Sequence, residues 1–140
     1  MKSSLFLLSI LTLPILSSVN LTVKIDNLKN SKGDVIVALY NQDGSIPDEK
    51  LNKFYKKKIV PINNKKATVT FKNLKKGKYA VVAIHDENSN SKIDKGLILP
   101  LEGVGFSNFN SISLLNKPNF KKASFSVDKS QVKDIKIIYF

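Results

Sequence analysis

Oxygen-bearing side chains recur with regular spacing in one segment of the sequence, His85 to Asp94. Counted from Asp86, they are Asp86, Asn88, Asn90 and Asp94, at positions 1, 3, 5 and 9. A tight loop turns alternate side chains inward, so carboxylate and amide oxygens at this spacing can converge on one hard cation. The segment is therefore a candidate metal site, and Ca²⁺ is the ion that such oxygen ligands favour.

The segment departs from a full calcium-binding loop at two positions. Ser91 stands at position 6 in place of Gly, and Leu97 stands at position 12 in place of a bidentate Glu. Glu87 and Glu102 are the carboxylates that can complete the coordination, Glu102 only if the intervening chain folds back. Ile93, at position 8, matches the apolar residue that the likeness to a calcium loop implies. The alternative is an Asx-rich turn, whose side chains bond the backbone and hold no ion.

Acidic residues gather around this segment in a chain that is otherwise basic. Four of the eleven carboxylates are Asp86, Glu87, Asp94 and Glu102, whereas the formal net charge of the chain is +12. Collected carboxylates repel one another unless something positive lies between them. Either a bound cation or lysine side chains can supply that charge.

His85 is the one histidine of the sequence, and the sequence contains no cysteine. A single His without Cys or an obvious nucleophile assembles neither a catalytic triad nor a zinc site of the usual type. We therefore expect a non-enzymatic protein, in which His85 ends a strand and hydrogen-bonds the loop.

The basic residues argue against a nucleic-acid partner. All 23 are lysines, and arginine is the side chain that recognises phosphate and guanine through two hydrogen bonds. Most of the charge is expected to be a solvated surface. The densest run, Lys53 to Lys58, can still attract an anionic surface such as lipid headgroups or a cell-wall polymer.

Residues 1–18 have the three parts of a secretory signal peptide: Lys2, an apolar stretch from Leu5 to Leu16, and Ser17-Ser18. An apolar stretch of about 12 residues is shorter than the roughly 20 that span a bilayer, so we expect no transmembrane segment in the mature protein. Without cysteine there is no lipid attachment site and no disulfide. The expected location is the periplasm or the exterior.

The remaining residues, 19–140, show the period-2 pattern of strands. Leu21, Val23 and Ile25 alternate with polar residues, whereas Asp34 to Tyr40 and Ala80 to His85 are nearly continuous apolar runs. Further strands are expected at Lys58 to Ile62, Ala67 to Phe71, Ala123 to Val127 and Val132 to Phe140.

These elements predict a single all-β domain, an antiparallel β-sandwich of about seven strands, immunoglobulin-like or transthyretin-like. The first and second strands are expected to form one hairpin, and the third and fourth another. A short helix or helical turn is expected near 46–57, and Tyr79 is expected to hydrogen-bond back across a strand corner.

Several stretches of the sequence together resemble DUF2141, a bacterial family of small exported proteins of unknown function. They are Leu21 to Leu28, Gly33 to Tyr40, Leu74 to Val81, His85 to Asp94, Pro100 to Asn108, Pro118 to Phe120 and Ala123 to Phe125. The resemblance implies a sandwich fold and an exported location, and it implies no activity. Ser91 departs from the Gly that is usual in the family.

Two functions follow from these patterns. The first is an exported, non-enzymatic β-sandwich module that binds Ca²⁺ or another ligand at the loops between residues 86 and 108. The second is an envelope-associated structural protein that adheres to anionic surfaces through its lysine-rich face. A salt-sensitive affinity for anionic vesicles would favour the second.

Overall fold

A computed structural model describes residues 3–13, 17–94 and 102–140 of the chain. Residues 3–13 are exposed, and every buried core residue lies between Val19 and Ile137. The domain 19–140 therefore contains the whole described core. No helix within the described ranges is long and apolar enough to cross a membrane.

The described ranges form eight strands and one short helix. In chain order these are β1 (Val19–Asp26), β2 (Asp34–Tyr40), β3 (Lys56–Pro61), β4 (Ala67–Leu74), β5 (Gly77–Asp86), β6 (Val104–Phe106), α1 (Phe120–Ala123), β7 (Phe125–Val127) and β8 (Gln131–Lys136). The predicted all-β class is confirmed. The sequence patterns missed β6, which has only three residues.

The strands form two sheets. One has three strands in the order β4-β1-β8, and the other has the order β3-β2-β5-β6, with β7 pairing to the start of β5. Most neighbouring strands run antiparallel, as expected, whereas β1 and β8 run parallel. Parallel strands need a long connection, and nearly the whole domain lies between β1 and β8.

The main core lies between the two sheets. Alternate residues of β1, such as Leu21, Val23 and Ile25, pack there against Val35, Val37 and Leu39 of β2. Ile135 and Ile137 also lie in this core with Tyr139 packed against it. β8 covers only part of the strand predicted at Val132 to Phe140, since it ends at Lys136. Burial of such side chains is the main force that holds the sheets together.

A second apolar layer covers the opposite face of the five-stranded sheet. It contains Ile36, Ala38 and Tyr40 of β2 and is closed by residues such as Leu51 and Phe120 from the long connections. β2 and β5 are therefore covered on both faces. This explains why their sequences are nearly continuous apolar runs rather than alternating ones.

The two predicted hairpins are wrong. β1 and β2 lie in different sheets, as do β3 and β4, so each connection crosses from one sheet to the other. A tight turn does follow β3, because Asn63 and Lys66 exchange backbone hydrogen bonds of 2.9 and 3.0 Å and Asn64 has a positive φ of 51°. Beyond that bridge, the two strands separate to their own sheets.

No helix forms at 46–57, where a helix or helical turn was predicted. The segment contains a single hydrogen-bonded turn, in which Leu51 N donates to Asp48 O at 3.1 Å. Leu51 has a φ of +50°, which no right-handed helix contains. The Asp48 carboxylate accepts hydrogen bonds from the backbone N–H groups of Asn52 and Lys53 and from the Tyr40 hydroxyl. These bonds hold the segment as a loop across the sheet.

The Tyr79 corner is confirmed. Its hydroxyl donates to the carbonyl oxygen of Lys75 at 2.6 Å, and the ring is buried at the start of β5. The bond ties the turn before β5 to the strand itself. It is thus one of the contacts that fix where β5 begins.

Replacing Tyr79 by Phe should lower the free energy of unfolding by about 1 kcal/mol, because it leaves the Lys75 carbonyl without this donor. Urea denaturation of the domain 19–140 measures the effect. Tyr55→Phe is the matched control, since the Tyr55 side chain is 43% exposed and should change stability by less than about 0.5 kcal/mol. Equal effects of the two substitutions would refute the role of the Tyr79 bond.

Candidate metal centre

The register between β5 and β6 determines which side chains meet at the end of the sheet. Ile84 pairs with Val104, and the His85 N–H donates to the Gly103 carbonyl at 2.9 Å. Continuing this antiparallel register places Asp86 opposite Glu102. Directly opposite residues of neighbouring strands lie on the same face, and like charges in such a pair are unfavourable.

β2 adds a third acidic residue to the same row. Asp34, the first residue of β2, pairs with Asp86, and its carboxylate accepts a hydrogen bond of 3.0 Å from the Ser89 hydroxyl. Gly33 lies directly against this strand end, where a Cβ would overlap the carbonyl oxygen of Asp86. Asp34 does not belong to the calcium-loop pattern, and the signal that could have identified it is an acidic residue at the start of an apolar strand.

Asp86, Asp94 and Glu102 form a cluster in which one oxygen of each carboxylate lies within 4.8 Å of the others. Asp86 and Glu102 are buried, and Asp94 is half-buried. Glu102 therefore does fold back to the segment, as its proposed role requires. Leu97, at position 12 of the loop, lies outside the described residues.

The backbone of the loop is wrapped around the Asp86 carboxylate. The N–H groups of Asn90 and Ser91 donate to its two oxygens at 3.2 and 2.8 Å. Ser91 has a φ of +61°, the left-handed conformation that Gly adopts most easily. The chain thus makes at Ser91 the turn that the calcium-loop pattern assigns to Gly.

Asn88 and Asn90 are exposed and point their amide nitrogens at Asp94. Nδ2 of Asn88 lies 2.8 Å from Asp94 Oδ2, and Nδ2 of Asn90 lies 2.9 Å from Oδ1. Their amide oxygens accept from the N–H groups of Asn90 and Lys92, respectively. These are the bonds of an Asx-rich turn, so the loop shows the features of that alternative together with the convergence of carboxylates.

Glu102 is the least satisfied member of the cluster. Its Oε2 accepts a hydrogen bond of 3.1 Å from the Asp94 backbone N–H, while its buried Oε1 has no hydrogen-bond partner. Burial, a side-chain hydrogen bond with Asp94 and the charges of Asp94 and Asp86 raise the pKa of Glu102 to about 7, whereas the Asp94 backbone N–H opposes this rise. The hydrogen bond to Asp94 requires the protonated form of Glu102, so Oε1 lacks a partner only when both carboxyl groups are ionised. In contrast, hydrogen bonds from Asn90 and Asn88 lower the pKa of Asp94.

Among the described residues, no lysine ammonium lies within 4.0 Å of Asp86, Asp94 or Glu102. The neighbouring Glu87 is directed elsewhere, since its carboxylate forms an ion pair of 2.8 Å with Lys29 and its pKa is lowered by that pair. Glu87 is therefore not the residue that completes the cluster.

His85 is a fully buried residue of the sheet. Its Nε2 lies 2.8 Å from the Lys32 carbonyl and its Nδ1 lies 2.8 Å from the Tyr139 hydroxyl. Because a carbonyl only accepts, Nε2 carries a hydrogen and donates to Lys32, and in the tautomer with hydrogen on Nε2 alone, Nδ1 accepts from the Tyr139 hydroxyl. The prediction that the His85 side chain hydrogen-bonds the Asp/Asn loop is wrong, since its partners are the Lys32 carbonyl and the Tyr139 hydroxyl.

Three of the four lysines of the basic run, Lys56, Lys57 and Lys58, lie on β3, an edge strand of the five-stranded sheet, whereas Lys53 lies in the preceding loop. The ammonium of Lys57 lies 5.1 Å from the centre of the Phe54 ring, whereas that of Lys58 lies over Phe71 and donates to the Thr70 carbonyl at 2.8 Å. Successive residues of a strand point to opposite faces, so the run does not form one flat patch. Lysines on an edge strand also oppose pairing with another chain.

The electrostatics of Glu102 predict how stability depends on pH in the presence of a chelator. Because the pKa is raised on folding, the stability contributed by Glu102 is fully present below pH 4.5 and is lost as the pH rises through about 7. Glu102→Gln should therefore be more stable than the parent at pH 8 by on the order of 2–3 kcal/mol, and the difference should vanish near pH 5. Urea denaturation at both pH values measures this, and a variant that is less stable at pH 8 would contradict it.

Comparison with known proteins supplies a family and no activity. A search of curated proteins and a search of solved structures returned no significant match. The sequence of residues 23–136, more than half of the chain, matches the family described as uncharacterized protein conserved in bacteria (DUF2141). All three residues of the carboxylate cluster lie within this stretch. Because the match covers most of the chain, the chain belongs to the DUF2141 family.

Proposed function

We propose that this chain is an exported, non-enzymatic β-sandwich module that binds Ca²⁺ at the cluster of Asp86, Asp94 and Glu102. The observation that carries the proposal is the buried Glu102 Oε1, which has no hydrogen-bond partner and belongs to a carboxylate beside two others. A buried, unpartnered carboxylate oxygen is costly, and a cation between the three groups offsets that cost.

The spacing of the cluster suits Ca²⁺ without a large rearrangement. Ca²⁺–oxygen distances of 2.3–2.6 Å put ligands on opposite sides of the ion about 4.6–5.2 Å apart. The three carboxylate oxygens lie within 4.8 Å of one another. They are therefore close enough to share one ion.

Asn88 and Asn90 become further ligands by a local change. Each presents its amide nitrogen to Asp94, and rotation about the last side-chain bond exchanges this nitrogen for the amide oxygen. The same rotation breaks the hydrogen bond that this oxygen accepts from the backbone N–H of Asn90 or Lys92, a loss that coordination of the ion must offset. With a cation beside Asp94, the oxygen is the favoured atom on that side. The proposed ligand set is then that of positions 1, 3, 5 and 9 of the loop, completed by Glu102.

The role that fits this geometry is to fasten one end of the sandwich. The ion joins the end of β5 to the chain that enters β6, two segments that otherwise repel through Asp86 and Glu102. A partly exposed loop with a strained Ser91 suits the weak sites of extracellular modules, whose dissociation constants are about 0.1–1 mM.

Two observations support a binding role over a catalytic one. His85 is buried and uses both ring nitrogens in hydrogen bonds, so it has no free position for a substrate proton. The Asp86 carboxylate is bonded to two backbone N–H groups. Adhesion of the β3 lysines to anionic lipid or polymer stays a prediction.

Export is proposed from the signal-peptide pattern of residues 1–18 and is consistent with the exposure of residues 3–13 outside the core. Fusing residues 1–18 to alkaline phosphatase, which is active only after export, should give an active enzyme in a bacterial host. Replacing Leu8 and Leu11 by Asp should abolish the activity. Equal activity with and without residues 1–18 would contradict export by this segment.

If Ca²⁺ binds the cluster, it should raise the melting temperature of the chelator-treated domain 19–140. A dissociation constant of about 0.1–1 mM gives a rise of roughly 5 °C at 10 mM Ca²⁺, because the ion binds only the folded state. Asp94→Asn should remove most of the rise while keeping the half-buried side-chain volume, and Asp86→Ala should abolish it.

The matched control is Asp128→Asn. Asp128 is exposed and follows β7, which pairs with the opposite end of β5 from Asp86, so this substitution removes the same charge far from the cluster. It should leave the Ca²⁺-dependent rise unchanged. No rise in the parent protein at 10 mM Ca²⁺, or equal losses in the Asp94 and Asp128 variants, would refute the proposed site.

A further inference from the structure

A cavity of about 440 Å³ opens on the face of the five-stranded sheet that the other sheet does not cover. Its floor consists of Tyr40, Val82 and Ile84 together with Val104 and Phe106 of β6. The long connections on either side form its walls. Its volume falls within the range of about 300–1,000 Å³ that small-molecule sites occupy.

The apolar surface of the cavity continues to the outside. Leu114 and Phe140 line the opening, and they are 87% and 53% exposed. Leu114 lies in a tight turn in which Ser113 and Asn116 pair through their backbones. Single exposed apolar residues are ordinary on a protein surface. Here, however, they adjoin the apolar floor of the cavity, and contiguous exposed apolar surface of this kind is typical of binding sites.

The polar groups at the walls indicate the charge of the occupant. Asp48 is buried and already accepts three hydrogen bonds, from Tyr40, Asn52 and Lys53. Glu49 is engaged in an interaction of its own. Lys117 is exposed at the rim, and no carboxylate of the described residues lies within 4.0 Å of its ammonium. Asp48 and Glu49 are thus engaged, whereas Lys117 is a charged side chain of the lining whose ammonium has no ionic partner among the described residues, and it can meet the headgroup of a ligand.

We propose that this cavity binds a single-chain anionic amphiphile, such as a long-chain carboxylate. Its hydrocarbon tail would lie on the apolar floor that includes Val82 and Phe106, and its headgroup would lie at Lys117. The inference goes beyond the cation site and does not depend on it, because none of the three clustered carboxylates lines the cavity. Apolar burial supplies the affinity, and the rim lysine selects the sign of the headgroup.

The test is isothermal titration of the domain 19–140 with decanoate and dodecanoate below their micellar concentrations, in the presence of a chelator. We expect saturable binding of one molecule per chain. Dodecanoate should bind about tenfold more tightly than decanoate, because two more methylenes are buried. Dodecyltrimethylammonium, with the same chain and the opposite charge, should bind more weakly.

Two pairs of variants identify the binding surface. Leu114→Asp should weaken dodecanoate binding at least fivefold, whereas Leu115→Asp is the control, because Leu115 is 96% exposed and does not line the cavity. Lys117→Gln should weaken dodecanoate about threefold and leave dodecyltrimethylammonium unchanged or tighter. Lys121→Gln, outside the cavity, should have no effect.

Three results would overturn the proposal. The first is the absence of saturable binding of either carboxylate. The second is an equal loss of binding in the Leu114 and Leu115 variants, which would indicate adsorption to the surface. The third is tighter binding of the ammonium amphiphile, which would assign the cavity to a cationic ligand. All the substituted positions are exposed, so these variants are expected to fold.

Discussion

The register of β5 against β6 is the constraint on which the rest of this structure depends. Since Ile84 pairs with Val104, Asp86 and Glu102 must face each other at the end of the sheet. Asp34 extends the same row from β2. The pairing that completes the sheet thus brings carboxylates together in a strongly basic protein. It leaves the buried Glu102 Oε1 without a hydrogen-bond partner, which is unfavourable.

That register is itself held by packing on both faces of the sheet. On one face, β2 and β5 contribute to the core between the sheets, and on the other they support a second layer beneath the long connections. Gly103 lies so close to Tyr139 and Ile137 that a Cβ would overlap them, and Tyr139 in turn bonds His85. The strand end therefore cannot slip to relieve the repulsion, which is offset either by a proton on Glu102 or by a cation between the carboxylates.

The sequence predicted the features that depend on residues close together in the chain, namely the buried faces of strands and part of the carboxylate cluster. Alternation identified the buried face of β1, continuous apolar runs identified the doubly covered β2 and β5, and the positions of Asp86 and Asp94 located the cluster. The predictions that were wrong, the two hairpins and the helix, depend on contacts that the local apolar pattern does not reveal. A one-sided strand fits either sheet equally well, so the two hairpins were misassigned. The segment 46–57 has a helical spacing of apolar residues, but the Asp48 carboxylate binds its backbone and Leu51 takes a left-handed turn.

The protonation of Glu102 gives the most direct measurement of the central claim. With a pKa of about 7, Glu102 must lose its proton to bind a cation. Calorimetric titration with Ca²⁺ in buffers of different ionisation enthalpy counts the protons released. The account predicts close to one proton per ion at pH 6 and close to none at pH 9, with Glu102→Gln releasing none at either pH. Binding at pH 6 without proton release would contradict the account, because Glu102 would then either not be a ligand or be ionised already in the free protein.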